Sequence, residues 1–225
     1  DVDVTNGSLN LTFDTAGRIN SANGSGDSVT VDTKSGAEFN AKNGVLNVSF
    51  HANGNLKDVA ADATTANYSS SAGNFNASEG KLTANITEDG QVRRLWASGD
   101  AQWNGTNGYK LNSAGTTVDL RFGENDNLST ARVISGEFTA TLPSGEEIRT
   151  KDTSANAIFD TSGQLRELKA KTGDVSYQNE EENRSVSISG IDGHVFLSEG
   201  GGLQQAAVAA GEINYSDSNT NNKRF

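Results

Sequence analysis

The residues of this chain with the best chance of doing chemistry are two histidines, His51 and His194, and a few clusters of carboxylates. A metal site needs three or four His, Cys or carboxylate ligands converging at bonding distance, and a triad needs a histidine between an acid and a nucleophile. The two histidines are isolated in polar strand or turn contexts and the chain has no cysteine, so neither arrangement is expected. Hydrolysis of a glycosidic bond takes two carboxyls on converging strands. "GEE" (Gly145 to Glu147) and "NEEEN" (Asn179 to Asn183) read instead as loop charge. "GEND" (Gly123 to Asp126) lacks the ligand density of an EF-hand and the nonapeptide of a calcium β-roll. The expectation is a protein that is not an enzyme, with no catalytic residue, no metal and no cofactor.

What the chain must build is bounded by its composition. It has 225 residues, an apolar fraction of 33% and 25 glycines, a balance that folds only if the apolar residues are placed regularly. A net charge of −11 argues against nucleic acid as a partner, because phosphate binding needs a basic surface. No apolar run approaches the roughly 20 residues that span a bilayer as a helix. The chain starts at Asp1, which reads as a mature or excised piece whose targeting segment is gone.

The regular placement is a repeat. "FDTAGRI" begins at Phe13 and "FDTSGQL" at Phe159, and equivalent anchors stand at Phe13, Phe50, Ile86, Phe122, Phe159 and Leu197, spaced by 37, 36, 36, 37 and 38 residues. Two residues before the anchors stand Leu11, Val48, Ala84, Leu120, Ala157 and Val195. Four after them come Gly17, Gly54, Gly90, Asp126, Gly163 and Gly201; six after, Ile19, Leu56, Val92, Leu128, Leu165 and Leu203. Nine after come Ala22, Val59, Leu95, Ala131, Leu168 and Ala206, and eleven before the later five anchors come Phe39, Phe75, Leu111, Ile148 and Val186.

Each copy translates into strands. Alternation up to the anchor (Val118, Leu120, Phe122) is the period of a half-buried strand. An Asp-x-x-Gly turn follows, its glycine supplying positive φ. The change of parity between offsets six and nine requires one extra residue, hence a β-bulge. Further glycines at Gly99, Gly136, Gly173 and Gly211 open short alternations such as "EFTATL", giving roughly four short strands per copy. Pro143 falls in the turn "LPSG". Such layers must stack to bury an apolar face. The fold class is therefore all-β: an elongated, twisted, open β-jelly roll of about six antiparallel β repeats of 36 residues. The alternative is a parallel β-helix of two coils per copy, suggested by Val31, Tyr68, Ala140, Tyr177 and Tyr215, each 18 residues after an anchor. One domain is expected over 1–215, with 216–225 a flexible tail or truncated linker.

"LTANITEDGQVRRLWASGDAQW" and "ANAIFDTSGQLRELKAKTGDVSY" resemble the OstA-type repeats of the LptA family, periplasmic lipopolysaccharide-transport proteins. The resemblance spans about residues 8 to 215, and LptC-like proteins and the amino-terminal domain of LptD share the fold. It departs in the first two copies, where "NGSGDSV" and "AADATTA" replace the "A-x-G-D" phrase. It implies a periplasmic bridge that carries lipopolysaccharide acyl chains in an apolar groove from inner to outer membrane. Its partners would be lipopolysaccharide or a similar lipid and other LptA, LptC or LptD-like proteins, added end to end through β-strands, with a homo-oligomer among the options. The groove candidates are then Phe13, Val48, Phe50, Ile86, Leu120, Phe122, Phe159 and Leu197, with Leu95 and Leu168. Arg93, Arg94, Arg132 and Lys169 would soften the repulsion between an acidic chain and lipid phosphates. Trp96, Trp103 and Tyr109 cluster as an edge of the groove, a partner surface or ordinary packing. The competing reading is a structural or adhesive extracellular β-solenoid that binds glycan or acts as a spacer.

Overall fold

The computed structural model describes residues 1–225 except 33–35, 37, 71–72, 106–107, 109, 124–126, 135, 143–144, 153, 172, 181–182, 200–201, 218–219 and 225. Tyr109, Pro143 and most of "GEND" therefore lie outside the described residues. The described residues form strands and turns and no helix. Every described strand pair is antiparallel, which sets the β-helix aside. Contacts cluster in two compact units, Asp1–Asn107 and Gly108–Phe225, where the repeat reads as one domain.

Unit 1 holds β1 (Val2–Thr5), β2 (Ser8–Phe13), β3 (Ile19–Asp32), β4 (Glu38–Phe50), β5 (Leu56–Ser70), β6 (Gly73–Ile86) and β7 (Val92–Gly105). β1 and β2 lie end to end along β3, and β3 to β7 follow as an up-and-down meander. Each long strand folds over at its middle. The ladder pairs Ser28 with Lys42 on one side of a crease and Gly26 with Gly44 on the other. Asn6, Asn43 and Glu79 sit in this crease column with φ of 49°, 49° and 52°, and Gly99 with 98°, the left-handed conformation that turns an extended chain. How sharp the fold is can be read at Gly24. Five residues of straight strand span about 17 Å, yet a Cβ placed on Gly24 would stand 2.5 Å from Cγ1 of Val29. The two halves of the strand close on each other there, and only glycine fits.

Unit 2 holds β8 (Lys110–Phe122), β9 (Leu128–Ile134), β10 (Glu137–Thr141), β11 (Glu147–Lys151), β12 (Ser154–Phe159), β13 (Leu165–Ala170), β14 (Gly173–Asn179), β15 (Arg184–Leu197), β16 (Leu203–Asp217) and β17 (Thr220–Arg224). It repeats the same plan with the crease opened into breaks. β8 pairs with β10 through one half and with β9 through the other; β10 continues to β11 and β14, β9 to β12 and β13. Both branches rejoin on β15, which pairs along its length with β16. A copy is thus two strands folded in half, and the four short strands expected per copy are seen literally from β9 to β12. Thr220–Arg224, which the sequence offers as tail, is a strand on β16.

Turns and bulges follow the repeat closely. Gly17, Gly54, Gly90 and Gly163 have φ between 76° and 88° and donate their N–H to the carbonyls of Asp14, His51, Thr87 and Asp160. The register shifts by one residue at all six anchors: Phe13 faces Ile19 but Thr12 faces Ser21, and Phe50 faces Leu56 but Ser49 faces Asp58. That is the bulge demanded by the parity change. The apolar positions then line up across strands. Residues two before and nine after the anchors form one buried row, Ala22, Val48, Val59, Ala84 and Leu95 in unit 1, and Leu120, Ala131, Ala157, Leu168 and Val195 in unit 2. Residues 18 after and eleven before form the second, Val31, Phe39, Tyr68 and Phe75, joined by Trp103 at 17 after Ile86, and Leu111, Ala140, Ile148, Tyr177, Val186 and Tyr215. The half-period that suggested a second coil is the passage from one side of the crease to the other.

Candidate functional site: the uncovered end of the apolar interior

The ten groove candidates divide by burial. Val48, Leu95, Leu120 and Leu168 lie within the first apolar row, and Ile86, Phe122, Phe159 and Leu197 are only 5–6% exposed at its margin, so these eight are packed core. Phe50 is half-buried. Phe13 is 59% exposed. The difference comes from position in the meander. Each inner row is covered by the folded-over half of its own and neighbouring strands, and β2, first in its half, has a neighbour on one side alone among the described pairings. Its inward residues Leu9, Leu11 and Phe13 therefore form an apolar strip, with Leu9 40% and Ile19 36% exposed. Leu9 was missed by the sequence reading; its place four residues before the first anchor, in step with Leu11 and Phe13, was the available signal.

A milder version of this edge occurs in unit 2. Among the described pairings β16 meets β15 alone over residues 203–211, and Leu203, Ala206 and Val208 are partly exposed on the inner side. The strip on β2 is bulky, whereas that on β16 is mostly small. Among the described pairings each of these edges has a strand on one side alone, the arrangement that can template an added strand.

The other half of unit 2 ends in a buried polar cluster that the repeat pattern gave no hint of. Tyr177 Oη donates to Glu146 Oε1 at 2.9 Å, and Asn179 Nδ2 donates to the same oxygen at 3.1 Å. Tyr215 Oη donates to Asp217 Oδ2 at 2.9 Å, with Arg184 Nε 3.5 Å from that oxygen. Burial, then the negative charge of Glu146, pushes the Tyr177 phenol far above its ordinary range, so it remains a donor. Burial and Asp217 raise Tyr215 likewise. The cluster closes the apolar row at this end with buried polar groups, the two phenols each bonded to a carboxylate, in contrast to the open strip on β2.

The residues first considered for chemistry have structural duties. His51 Nε2 meets the carbonyl of Ile86 at 2.8 Å, and Asn53 and Asn55 donate to the carbonyl of Glu88 at 2.9 and 2.8 Å, tying one turn tip to the next. Arg18 Nη1 to Ala52 O and Asn127 Nδ2 to Thr161 O do the same for other neighbouring copies. His51 is thus part of a staple between turns, and its side chain is largely covered. His194 Nε2 lies 3.0 Å from Glu167 Oε1 on the outer face, where Glu167 also pairs with Lys169. Arg132 and Lys169 share that face, and Arg93 Nη2 donates to Gln91 Oε1 at 3.0 Å. The tryptophans separate: Trp103 is core and Trp96, outward between Leu95 and Ala97, is not. Among the described residues no group of three or more His, Cys, Asp and Glu is placed to hold a metal. Comparison with protein-family models and with curated proteins found no match.

Proposed function

We propose that the protein is a non-catalytic lipid carrier of the envelope, a periplasmic bridge element that seats acyl chains of lipopolysaccharide or a similar lipid and joins its neighbours edge to edge. The observation that carries this reading is the apolar strip Leu9, Leu11 and Phe13, with Ile19, beside the open edge of β2. Covering one large apolar side chain is worth about 1.5–3 kcal/mol, so this strip favours whatever covers it. Hydrocarbon needs no directional partners and suits such a surface; a strand added to the edge would extend the covered row into the next protein. The resemblance to the LptA family points the same way. The seat is the margin between Phe13 and Phe50, where side chains are accessible, and the packed Val48, Ile86 and Leu95 of the same unit act as its scaffold.

The test places a photo-crosslinking residue at Phe13, at buried Phe122 and at outward Asn47, and exposes each variant to labelled lipopolysaccharide. Capture at Phe13 with little at the other two is expected. No capture anywhere, or capture at Asn47 equal to that at Phe13, refutes the carrier. Phe13→Asp should also abolish uptake of a fluorescent fatty acid while leaving the circular dichroism unchanged.

A further inference from the structure

The outer face of unit 1, opposite the apolar row, is an ordered polar surface. Strand registers align Thr12, Ser21, Ser49, Asp58, Asn85 and Arg94 in one line across β2 to β7, and Asn10, Asn23, Asn47, Ala60, Thr83 and Trp96 in the next. The centre of this face is concave, a hollow of about 360 Å³ whose polar walls, Asn47, Asp58, Thr83 and Asn85 among them, frame an apolar floor that includes Val59 and Ala60. Its side chains are already fixed to one another. Asn23 donates to Asn47, Ser49 Oγ donates to Asp58 Oδ2 at 2.9 Å, and Asn85 Nδ2 donates to Asp58 Oδ1 at 2.8 Å. Trp96 stands one strand beyond Thr83, partly exposed, at the end of the second line.

An outward tryptophan is out of keeping with two lines that, apart from Ala60 and Arg94, are built of amides, hydroxyls and a carboxylate. The chain has two tryptophans, and the other, Trp103, fills the core as packing would ask. We propose that this face binds a neutral polysaccharide, with Trp96 as the platform for one sugar ring and the polar lines bonding the hydroxyls of the rings beside it. A sugar ring has an apolar C–H face and a rim of hydroxyls that both donate and accept. Tryptophan matches the first, and Asn, Ser and Thr side chains match the second because they also do both. Strands about 4.8 Å apart repeat these groups at a fixed interval, so a linear polymer laid across them meets equivalent partners along its length. Side chains locked by mutual hydrogen bonds lose little freedom on binding. Asp58 at the centre and a net charge of −11 disfavour an anionic chain.

Native electrophoresis in gels containing dextran, laminarin or mannan tests the site. Retardation of the wild-type protein by at least one polymer is expected. Trp96→Ala and Asp58→Ala should each weaken it at least tenfold, with Trp103→Phe and Phe13→Asp retarded like wild type. Circular dichroism checks that each variant is folded; if Trp96→Ala is not, the double variant Asn47→Ala, Asn85→Ala carries the same expectation. Migration of the wild type unaffected by all three polymers, or equal retardation of wild type and the folded face variant, overturns the proposal. Loss of lipid capture with retardation intact would refute the carrier reading alone.

Discussion

From β3 to β7, unit 1 carries its strands unbroken through the crease, whereas unit 2 stops and restarts three of them there, although both use the same rows and the same bulges. In unit 1 the turn is made by single residues such as Asn43, and pairing resumes at once with Gly44 and Ala63. In unit 2 the described residues Gly136, Asp152 and Lys171 lie outside the strands at the three breaks, and Gly136, Asp152 and Gly173 hold φ of 121°, 50° and 90° there. The halves still pair in the register an unbroken strand would impose: Ala140 with Ile148 on one side, Ala157 with Ala131 on the other. Register in this fold is therefore a property of each half, set by its own apolar row. The crease only has to turn the chain.

The comparison can be broken most severely in the cores. Phe39→Ala removes a fully buried ring from the second row of unit 1 and should cost about 3–5 kcal/mol. Hydrogen exchange should speed up throughout unit 1; acceleration confined to β4 and its immediate neighbours would show that the halves do not share one cooperative core. A smaller effect is expected at the close approach in unit 2. A Cβ on Gly193 would stand 2.0 Å from Cγ2 of Ile188, so Gly193→Ala should lower the urea midpoint by an amount worth about 1–3 kcal/mol.

The acid limb of the stability curve distinguishes the turns. Burial opposes ionisation of Asp160, but hydrogen bonds from Ser162 and Gln164 and the charge of Arg166 outweigh it and hold the carboxyl below its usual range. A depressed folded value means stability that is present above the unfolded carboxyl's range, near pH 4, and lost as pH falls through the folded one. Asp160→Asn should cost about 1 kcal/mol at pH 7 and flatten the loss between pH 4 and pH 2, read by urea titration at each pH. Asp14 is lowered by the backbone N–H and the guanidinium of Arg18, but Arg18 is far more exposed to solvent than Arg166, so Asp14→Asn should change that limb less. The smallest effect is at the crease itself. Glu79 holds φ of 52°, and Glu79→Gly relieves about 1 kcal/mol of left-handed strain while adding nearly as much unfolded-state freedom. A shift in melting temperature of no more than a few degrees is expected.

Much of the fold was legible because it is periodic. The bulge followed from a parity change that recurs at every anchor, and the Asp-x-x-Gly turn from glycine's access to positive φ. Which anchors are covered was not legible, since Phe13 and Phe159 carry nearly the same local phrase and differ only in what lies beside them. The crease was hidden for a related reason: in unit 1 its residues are Asn43 and Glu79 as well as glycines, and a polar residue in a polar strand gives no sign of turning. The Tyr177 and Glu146 contact joins residues 31 apart, outside any repeat offset. Trp96 was visible as a residue but not as an outward one until the register placed it beside Thr83.

The crease also acts as a boundary for copying errors. An insertion of one residue in an ordinary strand sends every later side chain to the wrong face. Here an extra residue at the fold line, as between Ser78 and Lys81 opposite Asp100 and Ser98, is absorbed locally, and both flanking ladders keep their facing. A lineage built from such folded strands can lengthen or trim one arm without disturbing the other, which gives uneven spacings of 36 to 38 residues room to accumulate in a single working frame.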